Sequence, residues 1–194
     1  MKTKQVLAVM ITSLFLLYGC SNKDASVEAL ASKSTTLAKT EKGSVINQEY
    51  IDAQAEVIAT FGAIATSIVQ GAGQGADSEY MNQLISFHDY GDIFTEFNYA
   101  NGYGFLTDAL GNEDHERELF GVNVINVQKF AAVEGTLKVA VYYGNVANLT
   151  FISDFVLDLA DGTIGYPFNN LITLLFVKTK GEWKMVHEHH SPLN

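Results

Sequence analysis

The chain has 194 residues and 21.2 kDa, with 47% hydrophobic and 11% aromatic side chains, enough for one domain with a sizeable core and too little for two. A formal net charge of −10 argues against a phosphate-gripping nucleic-acid binder, which needs a Lys/Arg surface. The single cysteine cannot form an internal disulfide or a thiolate zinc site.

At the N-terminus, Lys2 and Lys4 precede an uncharged apolar run over 6–18, with no acid before Asp24. A positive head and a short greasy stretch describe a secretory signal, and the run is shorter than the ~20 residues a spanning helix needs. It ends Leu17-Tyr18-Gly19-Cys20, which resembles the lipobox of bacterial lipoproteins: Leu at −3, a small residue at −1 and Cys at +1. The resemblance implies a signal peptide over 1–19, cleavage before Cys20, a diacylglycerol on its sulfur and a fatty-acylated new N-terminus. The alternative is an ordinary signal with an incidental cysteine. Several acyl chains anchor firmly where one is reversible. Cleavage would remove two lysines and no acid, taking the formal charge from −10 to −12, so the lipid rather than surface charge must hold the protein at a membrane. Residues 20–45, rich in Ser, Thr, Ala and Lys, read as a flexible tether. Ser21 stands where inner-membrane lipoproteins carry Asp, which favours the outer membrane if the organism has one.

Over 47–70, Ile51, Ala55, Ile58, Phe61, Ala65 and Ile68 recur at three- and four-residue steps. This predicts an amphipathic helix with Asn47 as N-cap and Gly71 as its stop. A glycine-rich loop follows, then a second helix over 78–87 with Tyr80, Leu84 and Phe87 on one side. Residues 92–99 mix β-branched and aromatic side chains and read as a strand. NEDHEREL (112–119) is charged enough to read as a short solvated helix closing at Gly121. Beyond it the period changes to two. Leu137, Val139, Val141 and Tyr143 alternate, Gly144-Asn145 offers a turn, and 146–159 continues as a long strand that Asp161-Gly162 breaks. Strands over 171–178 and 183–190, joined at Lys180-Gly181, finish the chain. Helices first and a run of strands after predict an α+β fold, with an antiparallel meander covered by helices.

The last hairpin, FVKTKGEWKMVHEHHSPL (176–193), resembles the final two strands of the nuclear transport factor 2-like superfamily, particularly its SnoaL-like and kinase-association-domain-like members. Gly181, Trp183, Val186, His187, His189 and Ser191 carry the resemblance, together with VYYGNVANLTF at 141–151. It implies a SnoaL-like domain over 46–194, a cone-shaped curved antiparallel sheet wrapped around the long N-terminal helix, with a pocket at the wide end. It further implies a homodimer formed through the outer face of the sheet. Residues 88–120 lack that superfamily's aspartate-rich first strand and Gly-Arg-Glu motif, so no particular activity carries over.

Alternation on the last strand places Trp183, Met185, His187 and His189 on one face, and Lys184, Val186, Glu188 and His190 on the other. By analogy with kinase-association domains, Val186, Glu188 and His190 are expected to face the pocket. Ile172, Leu174 and Phe176 on the preceding strand would make it mostly apolar, and Tyr142 is a further candidate. Three readings of His187-Glu188-His189-His190 stay open: His187 and His189 satisfied structurally by hydrogen bonds, with Ser191 as a candidate partner; polar contacts for a ligand from Glu188 and His190; or a metal held by His187 and His189, with His88 or His115 as third ligand. Isomerase chemistry of the ketosteroid type needs a buried carboxylate base and a hydrogen-bond donor. Glu188, Asp154 and Glu96 are possible bases, and Tyr90, Tyr99 and Tyr142 possible donors. Gly102-Tyr103-Gly104 reads as a turn rather than a phosphate loop. The expected function is binding of a small, largely apolar molecule or service as a dimeric interaction module at the envelope, with catalysis as the alternative. The expected partners are a membrane reached through the lipid anchor, a small apolar molecule and a second copy of the chain, with no cofactor and no nucleic acid.

Overall fold

The computed structural model describes residues 50–100, 103–107, 109–167 and 169–193, and of residues 99–100, 103–107 and 109–110 it describes the backbone. The signal segment, Cys20, the tether, Asn47 and Gly102 lie outside the described residues.

Helix α1 (Ile51–Gly71) carries the core's central ridge: Val57, Phe61, Ile64, Ala65, Ile68 and Val69 are buried. The predicted stripe is right from Phe61 onward and rotated before it, since Ile51 and Ala55 are exposed and Val57 is buried. The cause is an anchor that hydropathy does not reveal. Glu56 accepts hydrogen bonds from Trp183 Nε1 at 2.8 Å and Lys178 Nζ at 2.5 Å, pinning that turn against the sheet with Val57 inward. Helix α2 (Glu79–Ser86) begins at Ser78, whose hydroxyl accepts from the Met81 N–H at 3.3 Å as an N-cap. It buries Met81 and Leu84, so Met81 takes the place expected of Tyr80.

Helix α3 (Ala109–Glu118) runs into a π-helical turn over Leu119–Asn123. It is not the wholly solvated helix its charges predicted. Asn112 and Glu116, four residues apart and so on one face, are 1% and 6% exposed. Arg117 fastens the helix, donating to the Ala76 carbonyl at 2.9 Å and Asn82 Oδ1 at 3.0 Å. The turn after α3 lies so close to the loop following α1 that a Cβ on Gly121 would come within 2.8 Å of Ala76 Cα. Only glycine permits that approach.

The sheet runs β2 (Tyr103–Thr107), β1 (Thr95–Ala100), β8 (Glu182–Pro192), β7 (Asn170–Thr179), β5 (Val146–Leu159) and β3 (Val124–Ala132). Strands β4 (Lys138–Tyr142) and β6 (Tyr166–Pro167) also pair with β5. Tyr103 and Gly104, read as turn residues, open β2. The strands after Gly121 pair antiparallel as expected, and β1, which the sequence left outside that meander, lies parallel to β8. These strands are far apart in sequence, so no hairpin dictates their sense, and the chain leaving α2 runs alongside β8 from His88 opposite Met185. Strand β5 has the predicted bounds and buries alternate residues from Ala147 to Leu157. The β4–β5 turn falls one residue early, at Tyr143 (φ 54°) and Gly144 (φ 74°), while Lys180 (φ 55°) and Gly181 (φ 89°) turn as expected.

Strand β8 does not alternate throughout. Leu175 pairs with His187 but Phe176 with Met185, which leaves Val186 as a bulge. Met185, Glu188 and His190 therefore share the face of Phe176, Leu174 and Ile172, their partners across β7. Inside the curved sheet, Phe61 sits 4.9 Å from Phe151 and 6.1 Å from Phe130, ring centre to ring centre. No helix of the described residues is long and apolar enough to cross a membrane.

Candidate functional site

Between α1 and the concave face of the sheet is a cavity of about 600 Å³. Most of its wall is apolar, including Phe61, Ile64, Phe130, Phe151, Phe155 and Leu174. Its ionisable groups gather in one corner, where β8, β1, α3 and the C-terminal end of α2 meet.

Glu188 is the hub of that corner. It is 5% exposed, and His88 Nε2 and His190 Nε2 approach its two oxygens at 2.7 and 3.0 Å. His88 Nδ1 faces the Leu84 carbonyl at 2.9 Å. A carbonyl only accepts, so Nδ1 carries a hydrogen, and the contact with Glu188 requires a second proton shared between Nε2 and the carboxylate. Burial pushes the Glu188 carboxyl up, but the hydrogen bonds and positive charge of His190 and His88 outweigh it and hold the group well below the usual carboxylate range. For His190 burial works downward, and the bond to Glu188 with its charge prevails, raising the imidazole.

The parallel pairing of β1 with β8 sets Glu96 directly beside Glu188. Glu96 is 1% exposed; Asn98 Nδ2 donates to its Oε1 at 2.6 Å, while Oε2 has no hydrogen-bond partner among the described residues. Burial, then the charge of Glu188, push its carboxyl up to about 7. Glu116 reaches the cavity wall from α3, and burial followed by Glu188 and Glu96 raises it well above the ordinary value. Tyr90 stacks on His88 at 4.9 Å with rings nearly parallel, and burial first, then Glu116 and Glu188, drive its phenol upward. Three buried carboxyl groups thus gather beside the imidazoles of His88 and His190, and His115 of α3 also lines the cavity, 3.3 Å from Asn98 Nδ2 through its Nε2. A second polar point lies across the cavity, where the Asn170 N–H donates to Ser153 Oγ at 2.8 Å and Asn170 Nδ2 is buried without a partner among the described residues.

Of the residues singled out in the sequence, Glu188, His190 and Leu174 line the cavity. Val186 does not: it is the bulge residue, buried but turned off the cavity-facing register. Phe176 is fully buried in the core beneath it. Tyr142 is half exposed on β4 and away from the cavity. Asp154 pairs with Lys129 and does not line the cavity either. The expected face partners are also corrected: the bulge puts Trp183 and Met185 inside and leaves His187 and His189 on the other side. There His187 Nδ1 shares a hydrogen bond with Thr95 Oγ1 at 2.8 Å, and His189 Nε2 one with Ser191 Oγ at 2.8 Å. Each histidine is satisfied separately, so they make no common chelate. The groups that could hold a metal are instead Glu96, Glu188 and His190, with one donor atom of each within 4.8 Å of the others. The side chain of Tyr99 lies outside the described residues. Sequence reasoning missed the role of Glu116 and Asn170; the i, i+4 spacing of Asn112 and Glu116 was the one signal for the first, and none marked the second.

The fold is that of the nuclear transport factor 2-like proteins, a curved open sheet with helices. A nuclear transport factor 2-like superfamily protein of Salmonella enterica is similar at 14% identity, covering 74% of this chain and 93% of that one, with a TM-score of 0.58. The association domain of the Caenorhabditis elegans calcium/calmodulin-dependent kinase II gives 16%, 75%, 100% and 0.55. A putative dehydratase of the same fold from Streptomyces avermitilis gives 15%, 74%, 98% and 0.54. No curated protein matches the chain. The model of the SnoaL-like domain matches residues 77–194, which is more than half of the sequence and contains every group of the ionisable corner, and the chain belongs to that family.

Proposed function

We propose that the domain binds a small, largely apolar molecule that carries one or two polar oxygens. The observation that carries this reading is the cavity itself: about 600 Å³ of mostly aromatic and aliphatic wall, with hydrogen-bonding groups at the Glu188–His190 corner and on the side of Ser153, Tyr166, Asn169 and Asn170. That combination suits a ligand whose body is held by burial and whose orientation is set by few polar contacts. The test is organic extraction and mass spectrometry of the protein purified from its native host, beside Leu119→Trp, which fills part of the cavity. A defined apolar molecule present in the native protein and lost in a folded Leu119→Trp variant supports the reading; an extract without any such molecule, together with no binding of an aromatic ketone series in solution, overturns it.

A second reading, proton transfer of the lyase or isomerase type, is favoured by one observation. Glu116 lines the cavity with its carboxyl pushed well above the ordinary value by burial and by Glu188 and Glu96, so it keeps its proton to higher pH than an exposed glutamate and can hand it to a leaving hydroxyl or an enolate oxygen. Asp154 has no part in it. Solvent deuterium exchange into a bound cyclic ketone that survives Glu116→Gln would end this reading. We further infer display at the bacterial envelope through an acylated Cys20, and self-association through the outer sheet face. Metabolic labelling with a fatty acid, lost in Cys20→Ser, tests the first. A monomer in sedimentation at micromolar concentration would overturn the second.

A further inference from the structure

We propose that Glu96, Glu188 and His190 form a binding site for a divalent first-row transition metal, with zinc the first to test. Their donor atoms already lie within 4.8 Å of one another, and His190 Nε2 stands 3.0 Å from Glu188 Oε2. That separation is the edge of a coordination shell with bonds of about 2.1 Å. Glu96 provides the independent reason. Its Oε2 is sealed from solvent, finds no hydrogen-bond partner among the described residues, and belongs to a side chain held beside Glu188 by strand pairing. A carboxylate oxygen in such a place is costly unless a positive charge answers it.

The donor set selects the class of ion. One imidazole nitrogen and two carboxylates suit zinc, iron(II) or manganese(II); calcium takes six to eight oxygens, and copper(I) prefers sulfur. The surroundings are those of a supported ligand. His88 contacts Glu188 Oε1 and is itself fixed by the Leu84 carbonyl, which leaves Oε2 to the metal. The remaining coordination positions open toward the cavity, since Glu188 and His190 line it, and would take water or an oxygen of a bound molecule. The site stands without the small-molecule reading, because a metal is measured with no organic ligand present.

The experiment uses the full chain carrying Cys20→Ser, so that the single thiol contributes nothing, stripped with chelator and dialysed against zinc sulfate at micromolar concentration. One zinc per chain is expected by elemental analysis. Glu96→Gln and, separately, His190→Gln should lose that equivalent while circular dichroism is retained. His88→Asn should weaken binding about 10–100-fold by freeing Glu188 to move, and a double His187→Ala, His189→Ala variant should bind as before. If Glu96→Gln does not fold, His190→Gln and the spectrum of the cobalt(II)-loaded parent decide, the expectation being visible bands of a low-symmetry nitrogen/oxygen site. No stoichiometric zinc in the parent, zinc unaffected by both ligand variants, or zinc lost with His187 and His189 would each overturn the proposal.

Discussion

Phe61 and Glu188 face the same cavity from α1 and β8 and are almost equally buried, yet they are held by different physics. Phe61 is kept in place by ring contacts with Phe151 and Phe130, which are many, weak and indifferent to pH. Glu188 depends on two hydrogen bonds to His88 and His190, and both follow the protonation of the group at the other end. The apolar region resists loss of volume, whereas the ionisable corner resists loss of a partner.

Four measurements sharpen or break this contrast. Phe61→Ala should destabilise by about 3–5 kcal/mol, the transfer and cavity terms together, and a second truncation at Phe151 should add to the loss in denaturant titrations. His88→Ala should also cost about 3–5 kcal/mol by leaving a buried charge short of a partner, but adding Glu188→Leu should recover part of it. A double-mutant cycle at the corner with no such recovery would erase the distinction. The third concerns pH, measured with chelator present. Glu96 and Glu116 have folded values above the ordinary 4.5, so the folded state holds protons that the unfolded chain releases. Their contribution is complete below pH 4.5 and is lost as pH rises, for Glu96 through about 7. Stability should fall over that range by up to about 1.4 kcal/mol per pH unit for each proton, and Glu116→Gln should flatten the slope. The smallest effect is expected outside: His187→Ala, whose partner Thr95 is on the exposed face, should change stability by no more than about 0.5 kcal/mol.

What the sequence disclosed follows the same division. Strand β5, the turn at Lys180-Gly181 and the span of helix α2 were legible because each depends on local periodicity or one residue's conformational preference. Glu188 and His190 were reached by alternation counted from a family analogy, and the reasoning failed at Val186, where a bulge interrupts the count. Glu56 was invisible as an anchor because its partners Lys178 and Trp183 are more than a hundred residues away. The corner itself depends on β1 lying parallel to β8, a pairing between distant segments that no local pattern encodes. Glu116 looked solvated because composition reports the charge of a helix and not which of its faces is covered.

The irregularity at Val186 decides which side chains of this strand meet the cavity. Ahead of it and behind it the chain obeys opposite parity: removing Val186 would close the bulge and keep Glu188 and His190 opposite Leu174 and Ile172, whereas a strand running on regularly past Met185 would slide by one residue and bring His187 and His189 there instead. In that slid arrangement β8 would offer the chamber two imidazoles and no carboxylate, so one unpaired residue decides which chemistry the same run of letters presents.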